Sequence, residues 1–233
     1  MCTLIVAWRV FEDAPVVAAA NRDEALGRPS RPPGVLDRNP TVVAPQDEEA
    51  GGTWIGYNDR GLFVGVTNRW VELEGERSRG LLVRDALSHE SAASAREFVV
   101  NELDERTYAG FNLLLADSTE ATLFEWDGTL EMTRLDPGVH VVVNRGFDDA
   151  APKSERILSL AATNPDDPPS LADWRERAKS VLRNHEVEAC VHGDGYGTRS
   201  SSIVTLFEDG SGTYEFADGP PCETSYDNAE GHI

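Results

Sequence analysis

The opening hairpin constrains this chain more than any other feature. Residues 3–8 (Thr-Leu-Ile-Val-Ala-Trp) form an apolar run, Phe11–Pro15 supplies turn residues, and Val16–Ala20 returns as a second apolar run. Short apolar runs bounded by turn formers read as buried strands. The chain therefore starts as a strand pair, with Cys2 at the open end of one strand and Asn21-Arg22-Asp23-Glu24 at the open end of the other. If the hairpin turns about residue 13, paired positions sum to about 26 and set Cys2 beside Asp23 and Glu24, with opposed Cβ atoms about 4.5–5.5 Å apart. Removal of Met1 would give Cys2 a free α-amine next to its own thiol. With a pKa of about 8, such an amine serves as a local base for a neighbouring nucleophile.

Further along, Arg28–Pro45 reads as a proline-rich loop. Gly51–Tyr57 leads into a strand, Asn58–Gly61 turns, and Leu62–Thr67 returns. Gly80–His89 has apolar residues at helical spacing, and Ser91 or Ser94 opens a second helix through Leu103. Four short strands follow at Phe111–Ala116, Ala121–Trp126, Leu130–Leu135 and Val139–Asn144, joined by Asp-, Gly- and Pro-containing turns. Helices resume at Lys153–Ala162 and from an N-cap Ser170 through Arg183, before a hairpin of Ser201–Glu208 and Thr213–Ala217. Strands flanking a helical middle imply two sheets with helices packed outside, an α+β layered fold over residues 1–233 as one domain. A chain of this length buries about 70% of its unfolded surface and needs no disulfide framework. Three cysteines without CxxC spacing (Cys2, Cys190, Cys222) fit a reducing cytoplasm.

Charge narrows the partners. The net charge is −20, the acid is spread along the chain, and the only lysines are Lys153 and Lys179. A solvating acidic surface suits high salt, and the lack of a basic footprint argues against nucleic-acid binding. No apolar run approaches about 18 residues, so no membrane span or leader is expected. The five histidines are dispersed and Cys190-Val191-His192 offers two ligands, so no metal site is expected. No Gly-x-Ser-x-Gly elbow is present.

Three further segments carry candidate chemistry. Asn68 and Asn144 each end a strand, and a side-chain amide there can donate to a developing oxyanion. The segment Asp194–Ser202 combines glycines, which allow close backbone approach, with Arg199, a fork of donors for a carboxylate or phosphate. By itself that segment reads as a turn.

Met1-Cys2, Asn21-Arg22-Asp23-Glu24, Gly51-Gly52-Thr53-Trp54-Ile55-Gly56, Thr67-Asn68, Ser78-Arg79-Gly80, Gly110–Leu113 and Gly195–Arg199 occur in an order that resembles the NRDE family, which includes the transport and Golgi organisation protein. The resemblance runs from Met1 to about Thr205. It implies an N-terminal-nucleophile hydrolase fold, a four-layer αββα sandwich shared with choloylglycine hydrolases and penicillin V acylases. It also implies roles: Cys2 as nucleophile, Asp23 as holder of its α-amine, Arg22 and Arg199 beside the thiol, and Asn68 and Asn144 at the oxyanion. In those hydrolases the arginine stands three residues before the Asp, whereas Arg22 adjoins Asp23. Two functions stay open. One is a cysteine amidohydrolase acting on a small amide without any cofactor. The other is a non-catalytic carrier of haem or an acyl group, with Cys2, His140 or His192 as iron ligands.

Overall fold

A computed structural model describes residues 2–165 and 167–229. In chain order the elements are β1 (Thr3–Trp8), β2 (Val16–Ala25), β3 (Ser30–Arg38), β4 (Thr41–Asp47), β5 (Ile55–Asn58), β6 (Phe63–Asn68), α1 (Arg79–Ala86) and α2 (Ala92–Glu105). There follow β7 (Phe111–Ala116), β8 (Ala121–Trp126), β9 (Leu130–Arg134), β10 (Gly138–Val143), β11 (Gly146–Phe147), α3 (Pro152–Ala161), α4 (Leu171–Leu182), β12 (Tyr196–Leu206), β13 (Gly212–Ala217) and β14 (Asp227–Asn228).

Among the described residues these form two antiparallel seven-stranded sheets. One runs β11-β10-β1-β2-β12-β13-β14 and the other β3-β4-β5-β6-β7-β8-β9. Alternation along β1 shows how they stack. Leu4, Val6 and Trp8 pack with Tyr57, Phe63 and Leu114 of the second sheet. Ile5 and Ala7 face the other way, onto Ile157 of α3 and Trp174 and Leu182 of α4. On the far side of the second sheet, Val64, Leu113 and Leu115 pack against Leu82 and Val83 of α1 and Val99 of α2. The layers are thus helix, sheet, sheet, helix, the expected αββα sandwich. β1 is covered on both faces, which is why all six of its residues are buried and its sequence is a continuous apolar run.

Several local expectations shift. The opening hairpin pairs with a sum of 24, not 26, since Thr3 lies opposite Asn21 and Trp8 opposite Val16. The turn closes early because Arg9 takes a left-handed φ of 53° and its amide bonds the Pro15 carbonyl at 2.8 Å. A two-residue slip preserves which face each side chain occupies, but it brings the strand end carrying Arg22 opposite Cys2. Arg28–Pro45 is not a loop. Most of it forms β3 and β4, with Pro32 and Pro33 tolerated on an edge strand where the register shifts between Arg31 and Gly34. The turn read at Asp194–Ser202 is strand from Tyr196 onward, with a bulge between Thr198 and Ser200. Helix α2 begins at the Ser91 cap, whose hydroxyl accepts the Ser94 amide while Ser94 bonds back.

Candidate active site

The site is built where β1 starts and β2 ends. Antiparallel pairing puts Thr3 across from Val143 on one side and from Asn21 on the other. One step further along each strand, Cys2 comes level with Asn144 and Arg22. The second sheet brings Asn68 at the end of β6 and Asp47 at the end of β4 to the same edge. The start of α1 closes it with Ser78, Arg79 and Gly80. The result is a cleft of about 100 Å³ lined by Cys2, Arg22, Asp23, Asn68, Arg79 and Trp54, among others.

Gly52 explains how α1 comes so close. A Cβ on Gly52 would lie 2.2 Å from the Gly80 carbonyl carbon, and the Thr53 amide bonds the Gly80 oxygen at 3.0 Å. The Gly51-Gly52-Thr53-Trp54 segment is therefore a glycine crossing that seats the helix start against the cleft.

Arg22 and Asp23 leave opposite faces of β2. The Arg22 guanidinium enters the space between the sheets, 4.0 Å from the centre of the Trp54 ring, with Nη2 2.9 Å from Asp47 Oδ2. Arg28 grips the same carboxylate, its Nε 2.6 Å from Oδ2. Burial would raise the Asp47 carboxyl, but the Arg28 hydrogen bond, the Ala50 amide and both guanidinium charges outweigh it and hold Asp47 below the usual range. Asp23 instead turns toward β12, where its Oδ1 accepts the Thr198 hydroxyl at 2.6 Å and its backbone carbonyl accepts the Tyr196 hydroxyl at 2.9 Å. Burial raises the Asp23 carboxyl above its ordinary value.

Cys2 Sγ approaches the Asp23 carbonyl at 3.8 Å. Its thiol is pushed up, first by burial and then by the Asp23 carboxylate. The arginines at the cleft do not overcome these effects. Arg22 is drawn to Asp47 and Trp54, and Arg199 lies outside the cleft lining, where the bulge in β12 turns it toward the Arg28 carbonyl at 3.4 Å. Asn68 lines the cleft, whereas Asn144 commits its Nδ2 to the Asn68 carbonyl at 2.6 Å and faces a neighbouring cavity of about 220 Å³. In this geometry Asn144 positions Asn68 and does not reach into the cleft beside it.

The fold also brings several side chains to the site that residue-by-residue reading did not single out. Asn112 donates Nδ2 to Thr67 Oγ1 at 3.1 Å and to the Val143 carbonyl at 2.8 Å, joining the two sheets directly behind Asn68 and Cys2. Arg79 donates to the Gly110 carbonyl at 2.7 Å and feels the Cys2 thiolate, although burial draws its pKa down. Lys153, at the start of α3, lowers Asp23 electrostatically while burial depresses its own pKa. Its Nζ is buried without a hydrogen-bond partner among the described residues. The only signal for Lys153 was the scarcity of lysine in an arginine-rich chain. Arg79 and Asn112 stand in two quoted motifs, Ser78-Arg79-Gly80 and Gly110–Leu113, but motif order assigns no role. Asn21, by contrast, is an anchor: its Nδ2 donates to the Leu182 and Ala189 carbonyls, both at 2.8 Å.

His140 and His192 do not meet Cys2. Both ring nitrogens of His140 are engaged, with Asp148 Oδ2 and the Asp136 carbonyl, each at 2.8 Å. His192 stands with Cys190 and Cys222. Neither histidine lines the cleft.

The Transport and Golgi organisation 2 family model matches residues 1–164. The chain belongs to that family. The human Transport and Golgi organization protein 2 homolog is 27% identical over 236 residues, covering 85% of this chain and 84% of the relative. Among solved structures, a variant of conjugated bile acid hydrolase from Clostridium perfringens superposes with a TM-score of 0.63 at 12% identity, covering 97% of this chain and 92% of that one. Penicillin V acylase from Agrobacterium tumefaciens gives a TM-score of 0.57 at 14% identity, with 99% and 98% covered. The family member therefore has the N-terminal-nucleophile hydrolase fold. No helix among the described residues is long and apolar enough to cross a membrane.

Proposed function

We propose that this chain is a cysteine N-terminal-nucleophile amidohydrolase acting on a small amide. The observation that carries the proposal is the placement of Cys2 at the mouth of the inter-sheet cleft, against Asp23, in the fold shared with a penicillin V acylase and a conjugated bile acid hydrolase. Ordinary removal of Met1 would expose the Cys2 α-amine. A buried thiol beside a carboxylate stays protonated at neutral pH, so the reaction needs a base at the moment of attack. The α-amine fills that need. It takes the thiol proton as sulfur bonds to the amide carbonyl carbon, then passes that proton to the departing amine as the C–N bond breaks. Water attacks the resulting thioester, releasing a carboxylic acid and restoring the thiol.

In this reading Asp23, held by Thr198, orients the amine, and the Asn68 side-chain amide donates to the oxyanion. Arg22 and Arg79 supply positive charge at the cleft wall. Asn144 and Asn112 are positioning residues. Arg199 has no contact with the reacting groups and takes no part in the cycle. The reaction requires no cofactor. Of the three candidate iron ligands only Cys2 lines the cleft, which favours the hydrolase over a haem carrier.

The test combines intact mass with a panel of N-acyl amides. The expected result is a chain lacking methionine, turnover of at least one amide, and loss of turnover in Cys2→Ala by at least about 10³-fold. Retained Met1, or turnover unchanged in Cys2→Ala, overturns the proposal.

A further inference from the structure

A second cluster of reactive side chains lies outside the cleft. His185, Cys190, His192 and Cys222 each offer one ligand atom, and these atoms all lie within 4.8 Å of one another. Sequence spacing showed only Cys190 and His192. The fold adds His185 from the loop after α4 and Cys222 from the segment between β13 and β14. Cys190 Sγ is 3.5 Å from Cys222 Sγ and 3.8 Å from His192 Nε2, and His192 Nε2 is 3.1 Å from Cys222 Sγ.

These separations lie close to the edges of a zinc tetrahedron. Arms of about 2.3 Å to sulfur and about 2.0–2.1 Å to nitrogen give edges of about 3.3–3.8 Å, so the 3.1 Å His192–Cys222 contact must open by about 0.4 Å. The outermost pair needs about 1 Å of side-chain movement to complete the sphere. His185 is also oriented as a ligand. Its Nδ1 bonds the Cys190 carbonyl at 3.0 Å, which requires the N–H to sit there and leaves the lone pair on Nε2. Two thiols and two imidazoles are the donor set that selects zinc over magnesium or calcium.

The surrounding backbone holds the four in place. Asn184 Oδ1 accepts the Glu186 amide at 2.7 Å and its carbonyl accepts the Cys190 amide at 3.1 Å, curling the loop back on itself. Arg183 Nε reaches the Pro221 carbonyl at 3.1 Å, fixing the turn that bears Cys222. Gly197 lets β12 pass under the loop, because a Cβ there would lie 2.7 Å from the Val191 oxygen.

We propose that His185, Cys190, His192 and Cys222 form a structural zinc site. The ion would tie the Cys222 segment to the α4–β12 loop. Val191 in that loop donates its amide to Thr198 Oγ1 at 2.9 Å, and the same hydroxyl bonds Asp23. The site thus braces the strand that holds Asp23 without touching the cleft.

The test uses the full chain, reduced and freed of metal, titrated with cobalt(II) as a spectroscopic stand-in for zinc. The expected result is uptake of about one ion per chain with the intense visible bands of tetrahedral thiolate cobalt, bleached by added zinc. Cys222→Ser and His185→Gln should each weaken binding by about 100-fold while retaining native circular dichroism, and Cys2→Ala should bind as the parent does. Zinc should raise the parent's melting temperature by about 5 °C or more. Absence of the cobalt bands, their persistence in both ligand variants, or a mass about 2 Da low from a Cys190–Cys222 disulfide in the protein as isolated would each overturn the proposal. None of these readouts depends on amide turnover, so this inference and the hydrolase reading fail separately.

Discussion

Arg22 and Asp23 are consecutive, yet one works between the sheets and the other against β12, and this division follows from strand alternation alone. A slip of one residue would exchange their surroundings, placing the carboxylate against Trp54 and the guanidinium against Thr198. The site is therefore specified by parity. His140 shows how strongly a single residue's surroundings set its charge. Burial would lower its pKa, but the Asp148 hydrogen bond, the Asp136 carbonyl and both carboxylate charges outweigh burial and raise it above 6.5. A histidine whose folded pKa is raised contributes stability fully below its unfolded value and loses that contribution as pH climbs through the folded value. His140→Gln should accordingly destabilise the protein by about 1–3 kcal/mol under mildly acidic conditions. The difference should shrink as the pH is raised above 6.5 through the raised folded pKa. Urea unfolding of both proteins across that range measures it, and a gap that widens with pH would contradict the pairing.

Among the elements, β7 and β8 match their sequence boundaries because apolar runs and Asp-containing turns agree there. Helices α2 and α4 also stand where their serine caps put them, while α1 ends at Ala86, short of the expected His89. Two stretches were misread for one reason: composition typical of turns also occurs in irregular strands. Pro32 and Pro33 sit on an edge strand, and Gly195–Thr198 sits beside a bulge, so tertiary pairing overrode local propensity. The gathering of Cys2, Arg22, Asp23 and Asn68 was legible from strand ends and motif order. The exclusion of Arg199 and the outward turn of Asn144 were not, because a bulge and one side-chain hydrogen bond decide them. The histidine–cysteine cluster was hidden for a different reason, since Cys222 approaches through a turn more than a strand away in sequence. At this scale the Gly52–Gly80 crossing is the most exposed to change. Gly52→Ala should destabilise by about 1–3 kcal/mol through overpacking against backbone. It should also slow alkylation of Cys2 or amide turnover by shifting Arg79. Unfolding midpoints together with labelling rates check both effects, and an unchanged midpoint would show that the crossing relaxes freely.

The whole molecule carries a net charge of −20, and many of its arginines are already paired with carboxylates, as in Arg77 with Asp85 and Glu102. The uncompensated acid repels itself, and such repulsion fades as the Debye length falls from about 10 Å at 0.1 M salt to about 3 Å at 1 M. The melting temperature should therefore rise steadily with potassium chloride over that interval. A flat or falling curve would mean that surface repulsion is not what limits stability. A different consequence follows from the position of β1. The strand bearing Cys2 is interior to its sheet, flanked by β10 and β2, and covered above and below. Its amides should be among the last to trade hydrogen for deuterium, close to the limit set by global unfolding. Cys2 thus sits at the end of one of the most slowly opening strands, and a ligand beside it cannot be accommodated by bending that strand. Adjustment falls to the mostly exposed segment 69–76, which joins Asn68 and Ser78 of the cleft lining. Deuterium uptake should change there on ligand binding, while residues 3–8 keep their protection.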